Sequence, residues 1–62
     1  MKISLTITVD ASPEGVRQWA TAYGVEPTGA VVREDIRRYI GNQIASHFAY
    51  NPEYPAISAD WR

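Results

Sequence analysis

A mainly helical fold with one N-terminal β-strand, paired antiparallel with its twin in a homodimer, is the class this sequence predicts, and three observations predict it. Lys2 to Val9, K-I-S-L-T-I-T-V, alternates polar and large apolar residues, the period of a strand with one face buried. Two later stretches repeat apolar residues at helical spacing, each behind a capping residue. No other stretch alternates as the first does, so the strand's backbone donors and acceptors have no partner within the chain, and a lone strand is an exposed sheet edge. The simplest repair is a second copy.

In the strand, alternation sends Ile3, Leu5, Ile7 and Val9 to one face and Lys2, Ser4, Thr6 and Thr8 to the other. The β-branched residues Ile3, Thr6, Ile7, Thr8 and Val9 suit a pleated surface. Asp10-Ala11-Ser12-Pro13-Glu14 then marks a turn and a helix start, with Ser12 as N-cap, Pro13 at the first helical position and Glu14 in the first turn. Val16, Trp19, Ala20 and Tyr23 fall on one stripe, and Gly24 supplies the stop. This predicts a first helix over Pro13 to Tyr23. Pro27 bars its continuation, and Thr28 is available to cap a second helix. There Val32, Ile36, Tyr39, Ile40, Ile44 and Phe48 keep a helical period for about five turns. Glu34 precedes Arg37 and Arg38 by three and four residues, the favourable order for surface ion pairs. Gly41 in mid-helix costs about 1 kcal/mol relative to alanine and permits a close crossing or a bend. Beyond Phe48 the prolines of N-P-E-Y-P prevent regular structure. Tyr50, Tyr54, Ile57 and Trp61 nevertheless give this tail enough apolar surface to pack on its own domain, on a dimer mate or on another protein. The division is therefore residues 1–48 as the domain and 49–62 as a Pro/aromatic-rich tail.

Sixty-two residues bury only about 60% of their unfolded surface, so stability alone is marginal. There is no cysteine and one histidine, which excludes disulfides and a thiolate or histidine metal cage. Oligomerisation is the reinforcement left. No apolar run reaches the length of a membrane span or signal-peptide core, and the expectation is a soluble cytoplasmic protein with no membrane partner. The net charge of −1 provides no global basic field. An enzyme is the least favoured class: no nucleophile stands with a base and orienter, no Gly-rich phosphate loop is present, and the adjacent Glu34 and Asp35 diverge by about 100° on a helix. No cofactor is expected.

The order of strand, capped helix, glycine-containing turn and longer helix resembles the ribbon-helix-helix family, the Arc and MetJ class of small dimeric repressors. K-I-S-L-T-I-T-V is similar to its N-terminal ribbon, S-P-E-G-V-R-Q-W-A-T-A-Y-G to its first helix, and V-V-R-E-D-I-R-R-Y-I to its second. The resemblance covers residues 2 to about 48. V-E-P-T-G-A departs from the family's shorter Gly-x-Ser/Thr connection, and the aromatic tail is a further departure.

The resemblance implies a sequence-specific DNA-binding regulator of transcription, in which two ribbons enter the major groove as an antiparallel pair. Lys2, Ser4, Thr6 and Thr8 would then contact base edges. The start of the second helix would hold a phosphate through Thr28, Gly29 and Ala30, with Arg33 adding a contact. The dimer core would comprise Ile3, Leu5, Ile7, Val9, Trp19, Ile36, Tyr39 and Ile40. Simpler roles stand beside these: Ser and Thr are ordinary strand formers, Arg33, Arg37 and Arg38 an ordinary solvated face, and His47 a packing residue. The alternative function is a protein-interaction module of the same architecture, an antitoxin or small phage or plasmid regulator, whose partner is gripped by Tyr50, Tyr54 and Trp61.

Overall fold

The computed structural model describes residues 1–61. Two helices make up its regular structure, α1 over Pro13–Tyr23 and α2 over Gly29–Ala49. Both begin as their sequences dictate. The Ser12 hydroxyl accepts the Gly15 N–H at 3.1 Å, and Pro13 occupies the first turn, where its missing N–H has no helical role. The Thr28 hydroxyl accepts the Val31 N–H at 3.3 Å, and the Thr28 carbonyl accepts the Val32 N–H at 3.0 Å.

Helix α1 stops at Gly24, whose φ of 67° and ψ of 35° are left-handed. That turn aims the N–H groups of Gly24 and Val25 at the Ala20 carbonyl, one of the acceptors near the helix end. An L residue in this conformation crowds its own carbonyl, so Gly24→Ala is expected to destabilise the fold by about 1–2 kcal/mol. A urea midpoint shift at unchanged slope measures it, and a shift within error would refute the assignment. Gly29→Ala is the matched control: its added methyl meets open space.

The predicted N-terminal strand, and with it the mixed fold class, is corrected. Among the described residues none is strand; residues 1–12 carry neither helix nor strand, and the chain is mainly α. None of the backbone hydrogen bonds outside the helices involves residues 1–11. A strand is a structure of two segments, stabilised by cross-strand pairs. Alternation tells which side chains a strand would bury, and among the described residues no second strand is there to bury them. Ile3, Leu5, Ile7 and Val9 are accordingly 72, 78, 55 and 51% exposed.

The helices pack through a small contact. Ala20 and Val32 are the buried hydrophobic residues, flanked by half-buried Val16, Trp19, Ile36 and Ile40. At 1.5 Å per residue α1 spans about 16 Å and α2 about 31 Å, so α1 leaves half of α2 without a helical neighbour. The radius of gyration is 14.3 Å, whereas a globular domain of this length has about 10.6 Å. The accessible surface is 5452 Å², against about 4,000 Å² for a folded monomer of this mass.

The tail returns along the uncovered half of α2. Local bonds shape its turns: Asn51 accepts the Glu53 N–H on its side chain and the Tyr54 N–H on its carbonyl. Tyr54 joins His47 and Phe48 in an aromatic group with centroids 5.1 to 6.2 Å apart. Trp61 lies across Gly41, which is itself buried, and a Cβ at position 41 would overlap the indole ring. The close approach that Gly41 permits is therefore taken up by a side chain of the tail.

Candidate functional site

Three groups of residues bear on function. The first is the N-terminal segment. Lys2, Ser4, Thr6 and Thr8 are exposed, as are the apolar residues between them, so both sets of side chains are open in the single chain. They are brought together by sequence adjacency, on a segment that is neither helix nor strand.

The second group is the start of α2. Thr28, Gly29, Ala30 and Arg33 are all exposed. With the Val31 N–H held by the Thr28 hydroxyl, the N–H groups of Gly29 and Ala30 are the ones a helix leaves free in its first turn. Arg33 lies four residues beyond Gly29 and three beyond Ala30, the spacing that puts it on their side of the helix. Among the described residues it forms no ion pair, whereas Arg37 pairs with Glu34 at 3.4 Å and Arg17 with Glu14. Those two exposed pairs contribute little to stability. The site thus combines two backbone donors, the positive end of the helix dipole and one uncommitted guanidinium.

The third group joins the helices. Trp19 stacks on Tyr23 with centroids 4.3 Å apart and meets Tyr39 edge-on at 5.6 Å. Its indole N–H donates to the Asp35 carboxylate at 2.8 Å. The Tyr23 hydroxyl is held above the ordinary tyrosine value, first by hydrogen bonding to the Tyr39 hydroxyl, then by charge on Tyr39, with smaller effects from desolvation and from the Asp35 carboxylate. Beside this cluster Tyr23, Asp35, Arg38, Tyr39 and Asn42 line an open cleft of about 270 Å³. Its carboxylate accepts the Trp19 indole N–H. Among the described residues no group of His, Cys, Asp and Glu is placed to hold a metal ion.

The residues named for a dimer core divide between these groups. Trp19, Ile36 and Ile40 are half-buried between or beside the helices, Tyr39 is 43% exposed, and Ile3, Leu5, Ile7 and Val9 are open. The residues named for a protein partner also divide. Tyr50 is 84% exposed, Tyr54 belongs to the aromatic group on α2, and Trp61 is held in place by its own chain. Sequence reasoning missed the Trp19–Asp35 bond and the seating of Trp61 on Gly41. The first had a signal: Asp35 stands three residues after Val32 and four before Tyr39, on the apolar stripe itself.

No family model, curated protein or solved structure matches the chain. Among the described residues no helix is long and apolar enough to cross a membrane.

Proposed function

We propose that the protein is a homodimeric, sequence-specific DNA-binding regulator of transcription, in which the two copies of Lys2 to Val9 lie together and offer their polar side chains to the major groove. One observation carries the dimer: a segment of strict alternation whose aliphatic side chains are all exposed and whose backbone is unpaired, on a chain with about 1,450 Å² more surface than a folded monomer of its mass has. Hidden in both partners, that excess corresponds to a total interface of about 2,900 Å², within the range of obligate homodimers.

The DNA reading is supported by the resemblance to ribbon-helix-helix proteins and by the open start of α2. With the aliphatic residues turned to the twin, Lys2, Ser4, Thr6 and Thr8 face away from it, and these side chains can reach guanine acceptors, either partner of a base pair, and the thymine methyl. The Gly29 and Ala30 N–H groups with Arg33 suit a phosphate on either flank. Twofold symmetry favours a palindromic site.

Titration of labelled duplex DNA against salt tests the reading. With about four phosphates neutralised per dimer, affinity should fall roughly a hundredfold between 50 and 200 mM salt. Lys2→Ala and Thr6→Ala should relax discrimination between sequences by about 1–3 kcal/mol for each base edge no longer read, and Arg33→Ala should weaken all sequences alike. Undetectable binding at 50 mM salt would overturn it.

A further inference from the structure

The cleft beside the aromatic cluster holds two opposite charges that do not neutralise each other. Asp35 and Arg38 stand three residues apart on α2, the spacing at which a carboxylate and a guanidinium ordinarily pair. Among the described residues neither forms an ion pair. The Asp35 carboxylate turns instead to α1, where one oxygen accepts the Trp19 indole N–H at 2.8 Å. Both residues line the cleft of about 270 Å³. Asn42, on the same lining, accepts the Trp61 indole N–H on its side-chain oxygen at 3.1 Å, which leaves its amide N–H groups as donors. Tyr23 and Tyr39, 50 and 43% exposed, supply the apolar part of the wall.

Each charge turns away one kind of ligand. A simple anion drawn to Arg38 meets the Asp35 carboxylate, and a simple cation drawn to Asp35 meets the guanidinium. A molecule that carries both charges on adjoining groups satisfies both. The cleft is just smaller than sites for drug-sized ligands, which selects a small molecule. A free α-amino acid has this pattern. Its ammonium suits the Asp35 oxygen that Trp19 leaves open, and its carboxylate suits the planar fork of Arg38 together with the Asn42 amide. A ring on its side chain can lie against Tyr23 and Tyr39.

We propose that this cleft binds a free α-amino acid with an aromatic side chain, Asp35 holding its ammonium, Arg38 and Asn42 its carboxylate, and Tyr23 and Tyr39 its ring. Trp19 is a positioning residue, whose bond keeps Asp35 from pairing with Arg38. The test is titration of the isotope-labelled full chain without DNA, read from the backbone resonances of the lining residues and the two indole N–H resonances, with helix content followed by circular dichroism. L-Phenylalanine should shift these resonances with a dissociation constant of about 1 mM, ordinary for a ligand of its size. Phenethylamine and hydrocinnamate, each lacking one of its charges, should bind about tenfold more weakly, the loss of one charge-assisted hydrogen bond. Arg38→Gln, at an exposed position, should weaken phenylalanine about tenfold, whereas Arg17→Gln, which removes the same charge from α1, should leave it unchanged. Trp19→Phe at unchanged helix content should reduce the preference for phenylalanine over both analogues, because Asp35 is then free to pair with Arg38. No shift of the lining resonances at about 20 mM phenylalanine, equal binding of the three probes, or unchanged affinity in Arg38→Gln would overturn the site. A preference undiminished in Trp19→Phe would overturn the positioning role.

Discussion

Ile7→Asp is expected to convert the protein to a monomer while leaving its helices intact. In the isolated chain Ile7 is more than half exposed, and surface substitutions of this kind change stability by no more than about 0.5 kcal/mol. Between two copies the same change places a carboxylate in an apolar interface, and twofold symmetry places it there twice. Unpaired buried charges cost at least about 3 kcal/mol each, so the dissociation constant should rise by roughly 10⁴-fold or more. Light scattering behind a sizing column at micromolar concentration would read this directly. Thr6→Asp, one residue away, separates the two faces: it should leave the dimer intact and abolish DNA binding, because its charge would meet phosphate. Wild-type mass for Ile7→Asp would eliminate pairing of the N-terminal segments.

Trp19→Ala is expected to be the most damaging truncation within the helical pair, at about 3 kcal/mol. The indole is the hub of the contact between α1 and α2: it stacks on Tyr23, meets Tyr39 edge-on and donates to Asp35. Its removal leaves the Asp35 carboxylate beside the interface without that donor. A chain of 62 residues has about 3–9 kcal/mol of stability, so the variant should lose from about a third to all of it. Trp19→Phe keeps an aromatic ring and loses the donor, and should cost about 1 kcal/mol. Urea unfolding at fixed protein concentration distinguishes the two; equal midpoints for Trp19→Ala and wild type would show that the hub is placed elsewhere.

Helix boundaries were legible because their causes are local. Ser12, Pro13 and Gly24 act on backbone groups within a turn of themselves, and so does Thr28; both helices lie where these residues put them. The N-terminal segment reads as a strand but forms none, for the complementary reason. Alternation in Lys2 to Val9 encodes a preference between faces, and the fold of a single chain offers no surface on which the preference can act. Trp19 and Asp35 lie between these cases. Each sits on its helix's inner stripe, but a carboxylate among apolar positions reads as an interruption until a donor is known to face it. The fate of the tail was least legible, since the prolines of N-P-E-Y-P exclude regular structure without saying where the chain goes next. Its destination depended on a glycine in another element.

Gly24 and Gly41 are both irreplaceable in this structure, and for unlike reasons. At Gly24 the restriction lies in the backbone, whose left-handed turn disfavours every L residue whatever surrounds it. At Gly41 the backbone is ordinary helix and the restriction is imposed from outside by the ring of Trp61. Alanine there improves helix propensity by about 1 kcal/mol once the ring is absent and collides with it when present. One substitution therefore carries opposite signs in two backgrounds that differ only near the end of the chain, so that Trp61 determines which residues the middle of α2 can accept.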